Sequence, residues 1–172
     1  FPTNFIGFII QSSSITSHCF SSYAKINLGL RVLNRRKDGY HNIHSIFVEV
    51  DLHDELKFTP AEEFSLTAEG RESVGLPLDE SNLITKAYRL IKSKTEITTT
   101  EYAIHLKKKI PPGGGLGGGS SNAATTLRVL NELWKMKLSQ DTLELLGAKL
   151  GADIPFFIRG SVQLIEGIGD IL

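Results

Sequence analysis

The sequence predicts an α+β fold, with strands in the first half of the chain and mostly helices in the second. In several segments before residue 70, apolar and polar residues alternate, as they do in strands that bury one face. From residue 82 onward, apolar residues recur mainly at the three- and four-residue spacing of amphipathic helices. This order differs from the regular alternation of strand and helix in a βαβ protein.

The first predicted strand covers residues 24–32, where five apolar residues alternate with polar ones and glycine. We expect Lys25 and Asn27 on its polar face, turned away from the core, and close to each other because residues two apart share a face. A polar connection with a turn-forming Asp38-Gly39 follows.

Four more strands are expected, around residues 46–50, 55–59, 64–68 and 102–106. The last of these leads into a basic run, Lys107-Lys108-Lys109. That run either adds positive potential near a bound phosphate or is a solvated strand end.

Three helices are predicted in the second half of the chain. The first spans residues 82–93, and the second covers residues 123–134 after a glycine-rich stretch. Ser139 is a typical N-cap for the third, which continues to Leu150.

The composition is that of an ordinary globular domain. The 172 residues are 41% hydrophobic and 22% charged, enough for one domain with a buried core. Nineteen Lys and Arg residues balance nineteen Asp and Glu residues, so net charge indicates neither a nucleic-acid partner nor an anionic membrane. No apolar run approaches the roughly 18 residues that span a bilayer. The single cysteine, Cys19, excludes an internal disulfide and fits a reducing compartment.

The two ends of the chain differ from its middle. Residues 1–22 are rich in Ser and have no acidic residue, but they lack the basic start of a secretory signal and the Arg residues of a transit peptide. We therefore expect an irregular leader there. Residues 169–172 lie in what reads as a continuing strand region.

The glycine-rich stretch is the most informative segment. Six of the seven residues 113–119 are glycine, so few side chains keep the backbone amides away from a ligand. The stretch leads into a helix N-terminus, where unpaired N–H groups and the helix dipole favour an anion such as phosphate. Ser120 and Ser121 add hydroxyl groups that can bind phosphate oxygens or a metal ion.

The details of this loop separate two common kinds of phosphate site. A Walker loop ends in Gly-Lys-Ser/Thr, whereas Ser120 directly follows Gly119 here. The spacing Gly113-x-Gly115-x-x-Gly118 matches the dinucleotide fingerprint, but the predicted elements around it do not form a βαβ unit.

Four segments, in order, resemble motifs of the GHMP kinase family. They are Ala24-Lys25-Ile26-Asn27-Leu28, Arg36-Lys37-Asp38-Gly39-Tyr40-His41, the string from Pro111 to Ala124, and Leu150-Gly151-Ala152-Asp153-Ile154-Pro155-Phe156-Phe157. The resemblance implies an N-terminal ATP-binding domain over residues 23–172, of the ribosomal protein S5 domain 2-like fold, with a mixed sheet packed with helices. It also implies that a C-terminal domain is missing or truncated, and it leaves residues 1–22 unmatched.

The resemblance also implies roles for individual residues. Asp153 matches the family's catalytic base and Lys25 its partner lysine, which keeps Asp153 ionised and favours the charge of the transition state. Asn27, Tyr40 and His41 match substrate-binding positions. The cofactors implied are ATP and Mg²⁺, with no assignment of metal ligands. The ATP-binding residues implied are Pro111, Pro112, Gly113, Gly114, Gly115, Leu116, Gly117, Gly118, Gly119, Ser120 and Ser121.

Within the family, the first-strand and Asp-Gly-Tyr-His segments are similar to members that phosphorylate the 2-hydroxyl of 4-diphosphocytidyl-2-C-methyl-D-erythritol, in the non-mevalonate route to isoprenoids. Three alternatives stay open: a sister kinase acting on homoserine or mevalonate, a dinucleotide-binding oxidoreductase, and a catalytically silent nucleotide-binding fragment. The expected location is a bacterial cytoplasm or a plastid. The sequence assigns no oligomeric state.

Overall fold

The computed structural model describes residues 16–35, 39, 41–95 and 99–165. Within these residues five strands form one sheet: β1 (His18–Arg35), β2 (His41–Ala61), β3 (Ser65–Glu69), β4 (Glu101–Lys107) and β5 (Val162–Ile165). Their order in the sheet is β1-β2-β4-β3, and β5 pairs with β2. Strands β3 and β4 are parallel and the other pairs are antiparallel, so the sheet is mixed, as predicted.

Four helices and a short 3₁₀ turn at Arg71–Ser73 complete the described fold. The helices are α1 (Leu83–Lys92), α2 (Gly118–Leu133), α3 (Gln140–Ala148) and α4 (Ile154–Arg159). Helix α1 begins after Asn82, whose side chain accepts a hydrogen bond from the Ile84 N–H. Ser139 caps α3 in the same way, as the sequence predicted.

The core lies between one face of the sheet and the helices. Strands β2 and β4 contribute alternate residues to it, and α1, α2 and α4 cover them. None of the helices in the described part of the chain is both long and apolar enough to cross a membrane. The fully buried large side chains include Leu56, Phe58, Tyr88, Ile104, Leu106, Leu127, Leu130 and Phe156.

Three of the secondary-structure predictions need correction. Residues 46–50 and 55–59 belong to one continuous strand, β2, rather than to two. An irregular leader was expected over residues 1–22, but β1 already begins at His18. Residues 1–15 lie outside the described residues. Residues 154–159 form α4, which the sequence analysis did not predict as a helix. The strand region expected at residues 169–172 also lies outside the described residues.

The predicted orientation of β1 is wrong. The pairing of β1 with β2 shifts its register between Tyr23 and Ala24, and such a shift changes which residues face the core. Lys25 is consequently only 6% exposed and lies under the helices, whereas Ile26 and Leu28 on the opposite face are exposed. On this face Lys25 is covered by other elements, whereas Asn27, two residues further on, is exposed.

Candidate active site

The glycine-rich segment forms an open loop that ends in helix α2. The helix begins at Gly118, so the last part of the predicted loop is its first turn. Its N-cap is Gly117, which has no capping side chain, and the first turn contains no acidic residue. The N–H groups of this turn are therefore not occupied by a capping side chain, as an anion site requires.

Three glycines of the loop have a backbone that favours glycine. Gly113, Gly115 and Gly117 have φ angles of 78°, 70° and 71°. A Cβ atom at Gly113 or Gly115 would meet no atom within 4 Å, so these positions face open space. At Gly117 a Cβ would lie 2.6 Å from the Phe157 ring and 3.3 Å from Lys25 Cγ.

Replacement of Gly117 by Ala is expected to lower the free energy of unfolding by about 2–4 kcal/mol, because the left-handed backbone and the clash with Phe157 add together. Gly115→Ala is the matched control, since it has nearly the same φ and no neighbour to clash with; it should lose only about 1–2 kcal/mol. Urea unfolding of both variants measures the difference. Equal losses would contradict the close packing at Gly117.

Two hydrogen bonds attach this loop to β1. The Lys25 backbone N–H donates to Leu116 O at 2.9 Å. Ser22 donates to the Ser121 hydroxyl at 2.7 Å, and both side chains are buried. The Ser121 hydroxyl thus bonds to β1, and the residue does not line the cleft described next, while its contact with ATP stays a prediction.

The loop forms one wall of a cleft of about 360 Å³. That volume lies in the range of small-molecule sites. Residues 111–120 contribute to this wall, as predicted for a nucleotide loop. The opposite wall comes from the start of α1 and the segment before it, which sequence reasoning did not assign to the site. Its residues are Leu76, Pro77, Ser81, Asn82, Leu83 and Ile84.

The start of the loop is held by a buried ion pair. Lys108 Nζ lies 2.7 Å from Asp54 Oδ2, and these two side chains are 3% and 0% exposed. Asp54 Oδ1 also accepts hydrogen bonds from the backbone N–H groups of Lys109 and Ile110, at 2.7 and 2.8 Å. Asp54 therefore pairs with the lysine charge and orders the backbone immediately before the glycines.

The basic run at the end of β4 is not a free positive patch. Lys108 is paired with Asp54, and the ammonium groups of Lys107 and Lys109 both lie near Glu55. The hydrogen bond from Lys109 holds the pKa of Glu55 below its usual range. The reading of a solvated strand end does not describe the buried Lys108. Lys108 lines the cleft described above, so a contribution of its charge near a bound phosphate stays a prediction.

Lys25 and Asp153 come together beside the end of the glycine loop. Lys25 Nζ lies 3.8 Å from Asp153 Oδ2. The lysine side chain is 8% exposed and the aspartate side chain is 34% exposed, so solvent reaches the carboxylate much more than the ammonium. The pair predicted from distant sequence motifs is thus a spatial pair in the structure.

Asp153 occupies the N-cap position of α4, but its side chain makes no capping hydrogen bond. An aspartate whose main role is to cap a helix would use its carboxylate on the first N–H groups. The carboxylate is instead directed to the neighbourhood of Lys25. This geometry favours a functional role for Asp153 over a capping one.

Lys25 has two further neighbours on the sheet. Its ammonium donates a hydrogen bond to Asn27 Oδ1 at 2.7 Å, which confirms that the two residues share a face of β1. It also lies 4.1 Å from the centre of the Phe47 ring, within cation–π distance. The ammonium is therefore held by partners on β1 and β2 as well as by Asp153.

The remaining predicted substrate residues are only partly covered by the structure. Tyr40 lies outside the described residues. His41 begins β2 and its backbone pairs with Arg35, but its side chain is also outside the described part. Their roles stay predictions.

The polar groups of the site suit the phosphates of a nucleotide better than they suit a metal ion held by protein side chains alone. No group of three or more His, Cys, Asp or Glu side chains in the described ranges is placed to hold a metal ion. Mg²⁺ commonly needs only one or two carboxylates when phosphate oxygens and water supply its other ligands. The free first turn of α2 and the open glycines suit the phosphates themselves.

The arrangement of elements around the loop differs from a dinucleotide-binding unit. β4 precedes the loop, and α2 is followed by α3 and α4 before β5 joins the sheet. β5 pairs antiparallel with β2, so the segment after α2 does not supply the parallel neighbour of a βαβ unit.

Comparisons with known proteins agree with this geometry. Residues 82–161 match the family model described as the GHMP kinases N terminal domain. A 4-diphosphocytidyl-2-C-methyl-D-erythritol kinase of Hahella chejuensis is 47% identical over 159 residues, which are 88% of this chain and 53% of that protein. A protein of the same name from Acinetobacter baylyi is 50% identical over 157 residues, covering 88% of the chain and 54% of the relative. The chain thus spans about half the length of the curated relatives it matches.

Solved structures give the same picture. A crystal structure of 4-(cytidine 5'-diphospho)-2C-methyl-D-erythritol kinase superimposes with a TM-score of 0.75 and 36% identity, over 90% of this chain and 53% of that one. The mevalonate kinase of Methanococcus jannaschii gives a TM-score of 0.66 at 15% identity, over 90% of this chain and 54% of that one. The second likeness shows a shared fold only.

Proposed function

The chain belongs to the GHMP kinase family, and on that basis we propose that it carries the ATP-binding part of a kinase that phosphorylates the 2-hydroxyl of 4-diphosphocytidyl-2-C-methyl-D-erythritol. The observation that carries this proposal is the position of Asp153 and Lys25. Their charged groups lie 3.8 Å apart, and the Lys25 stem packs beside Gly117, at the start of helix α2. A proton acceptor, a positive charge and an anion-binding helix end therefore meet in one place.

ATP would be held by the backbone of residues 113–120, with its phosphates at the first turn of α2. The apolar side chains of Leu76, Pro77 and Leu83 line the opposite wall of the cleft and suit the flat faces of a base. Mg²⁺, when bound with ATP, supplies positive charge on the phosphate oxygens. The Ser120 hydroxyl lines this cleft and can bind a phosphate oxygen.

In the proposed reaction the protein supplies one proton acceptor and one positive charge. The acceptor hydroxyl would give its proton to the Asp153 carboxylate as its oxygen forms the new bond to phosphorus and the bond to ADP breaks. Lys25 would stabilise negative charge that develops on the transferred group, because its ammonium is nearly buried and is therefore weakly screened.

Sequence similarity supports the choice of acceptor. Relatives that are 47% and 50% identical to this chain over the aligned residues are named 4-diphosphocytidyl-2-C-methyl-D-erythritol kinases, whereas the mevalonate kinase of similar fold is 15% identical. We assign Asn27, whose Oδ1 accepts a hydrogen bond from Lys25, to the acceptor as well. We assign Tyr40 and His41 to the cytidine end of the acceptor on the motif resemblance alone.

The proposal predicts ADP release from Mg·ATP in the presence of 4-diphosphocytidyl-2-C-methyl-D-erythritol. The protein for this assay is the chain joined to the C-terminal half of the Hahella chejuensis relative, called the extended form below. The 172-residue chain is assayed beside it for ATP binding by calorimetry. We expect turnover in the extended form and ATP binding in both.

Parallel reactions with homoserine and mevalonate decide between the family's acceptors. Turnover with either of these alone would keep the kinase and reject the acceptor proposed here. Binding of a nicotinamide dinucleotide without binding of ATP would support the oxidoreductase instead. ATP binding without turnover of any acceptor by the extended form would indicate a silent nucleotide-binding protein.

A further inference from the structure

We propose that Ser45 is a positioning residue, which holds the ammonium group of Lys25 in place through the side chain of Asn27. The proposal rests on the proposed kinase function for its effect on rate, but its geometric part concerns Lys25 itself. Ser45 lies on β2 and is buried, with 3% of its surface exposed. It touches neither the glycine loop nor the cleft wall described above.

Three hydrogen bonds form a chain from the sheet to the ammonium. Ser45 Oγ donates to the backbone oxygen of Gly29 at 2.7 Å. Asn27 Nδ2 donates to Ser45 Oγ at 3.1 Å. Lys25 Nζ donates to Asn27 Oδ1 at 2.7 Å. The chain therefore links β1 and β2 and ends at the charge beside Asp153.

The direction of each bond follows from what each group can do. An ammonium only donates, so Asn27 must present its oxygen to Lys25, and its amide NH₂ must then find an acceptor. A serine hydroxyl has one proton, and Gly29 O takes it, so the lone pairs of Ser45 are left to accept from Asn27. Ser45 thus fixes the orientation of the amide that receives the lysine.

Lys25 needs such support because Asp153 does not hold it by a hydrogen bond. The 3.8 Å between Lys25 Nζ and Asp153 Oδ2 is an ion-pair contact but exceeds hydrogen-bond distance. A lysine stem has four rotatable bonds, and the Phe47 ring constrains the ammonium only loosely. The oriented oxygen of Asn27 is the short contact that defines where the charge sits.

The first test measures Lys25 directly and needs no kinase activity. The chain is treated with an acetylating reagent, and mass spectrometry gives the rate at Lys25 relative to the exposed Lys57 in the same molecule. In Ser45→Ala the Asn27 amide loses its acceptor, and Lys25 should acetylate about fivefold faster, the factor that corresponds to one ordinary hydrogen bond. Ser45→Thr keeps the hydroxyl and should restore the slow rate, and Ser65→Ala, at an exposed site on β3, should not change it.

The second test uses the extended form. Ser45→Ala should lower kcat about fivefold, with recovery in Ser45→Thr, while the affinity for ATP stays unchanged because the loop is untouched. A Lys25 acetylation rate in Ser45→Ala equal to that of the parent would overturn the proposal. A faster rate at Lys25 in an extended form that phosphorylates no acceptor would keep the positioning role and reject the kinase function instead. Loss of ATP affinity together with kcat would indicate general loosening of the sheet and would also overturn it.

Discussion

Asp153→Asn in the extended form is expected to lower kcat by about 10²- to 10⁴-fold, the usual contribution of a positioned general base. The amide has nearly the same shape as the carboxylate but cannot accept the hydroxyl proton. ATP affinity should remain unchanged, because the carboxylate faces Lys25 rather than the cleft lining. Steady-state kinetics with 4-diphosphocytidyl-2-C-methyl-D-erythritol, together with calorimetry of ATP binding, separate the two quantities.

We expect Asp153→Asn to change the free energy of unfolding only slightly. Asp153 makes no capping bond and is one-third exposed, so its contact with Lys25 contributes at most about 1 kcal/mol. Asp141→Asn, at an exposed position in the first turn of α3, is the matched control and should keep full activity. If Asp153→Asn kept more than about a tenth of the parent kcat, Asp153 would not be the base.

Asp54→Ala is expected to lower the free energy of unfolding by about 3–5 kcal/mol, because it leaves the buried Lys108 charge without an opposite charge, although its hydrogen bond to Ile110 O remains. The same change removes the acceptor of the Lys109 and Ile110 N–H groups. Since whole domains are stable by only about 5–15 kcal/mol, this variant should be close to the limit of folding. Urea unfolding of the chain measures the loss.

Two further variants separate the buried charge from simple loss of packing. Asp54→Leu combined with Lys108→Met removes both charges and should cost much less than the sum of the single changes, because neither charge is then left unpaired. Glu55→Ala removes the neighbouring exposed acid and should change stability little, since surface pairs contribute little. Additive losses in the double variant would show that Asp54 and Lys108 are not energetically coupled.

Much of the fold was predictable because its signals are local. The apolar spacing of α1 and the capping residue Ser139 of α3 act within one or two turns, and the structure confirms both helices. Strand β2 was predicted as two pieces because the polar Asp54 interrupts its apolar alternation. Pairing with β1 on one side and β4 on the other keeps it continuous, and that pairing is not visible in the local sequence.

The candidate site divides in the same way. The glycine loop was recognisable from the sequence, because a run of glycines indicates a backbone that can approach a ligand closely. Lys25 and Asp153 were linked only by resemblance to family motifs, since each alone has an ordinary structural explanation. The apolar cleft wall at Leu76 and Pro77 was missed because it comes from an irregular segment without periodicity.

The sequence by itself determined the glycine-rich loop before a helix, the cap of α3 and the resemblance to the GHMP kinases. Only the tertiary structure decided that Lys25 is buried, because one register shift in β1 changes which of its residues face the core. It also decided that Lys108 is paired with Asp54, although the two neighbours of this lysine in the sequence are also lysines. Both results depend on contacts between residues far apart along the chain, and periodicity describes only neighbours.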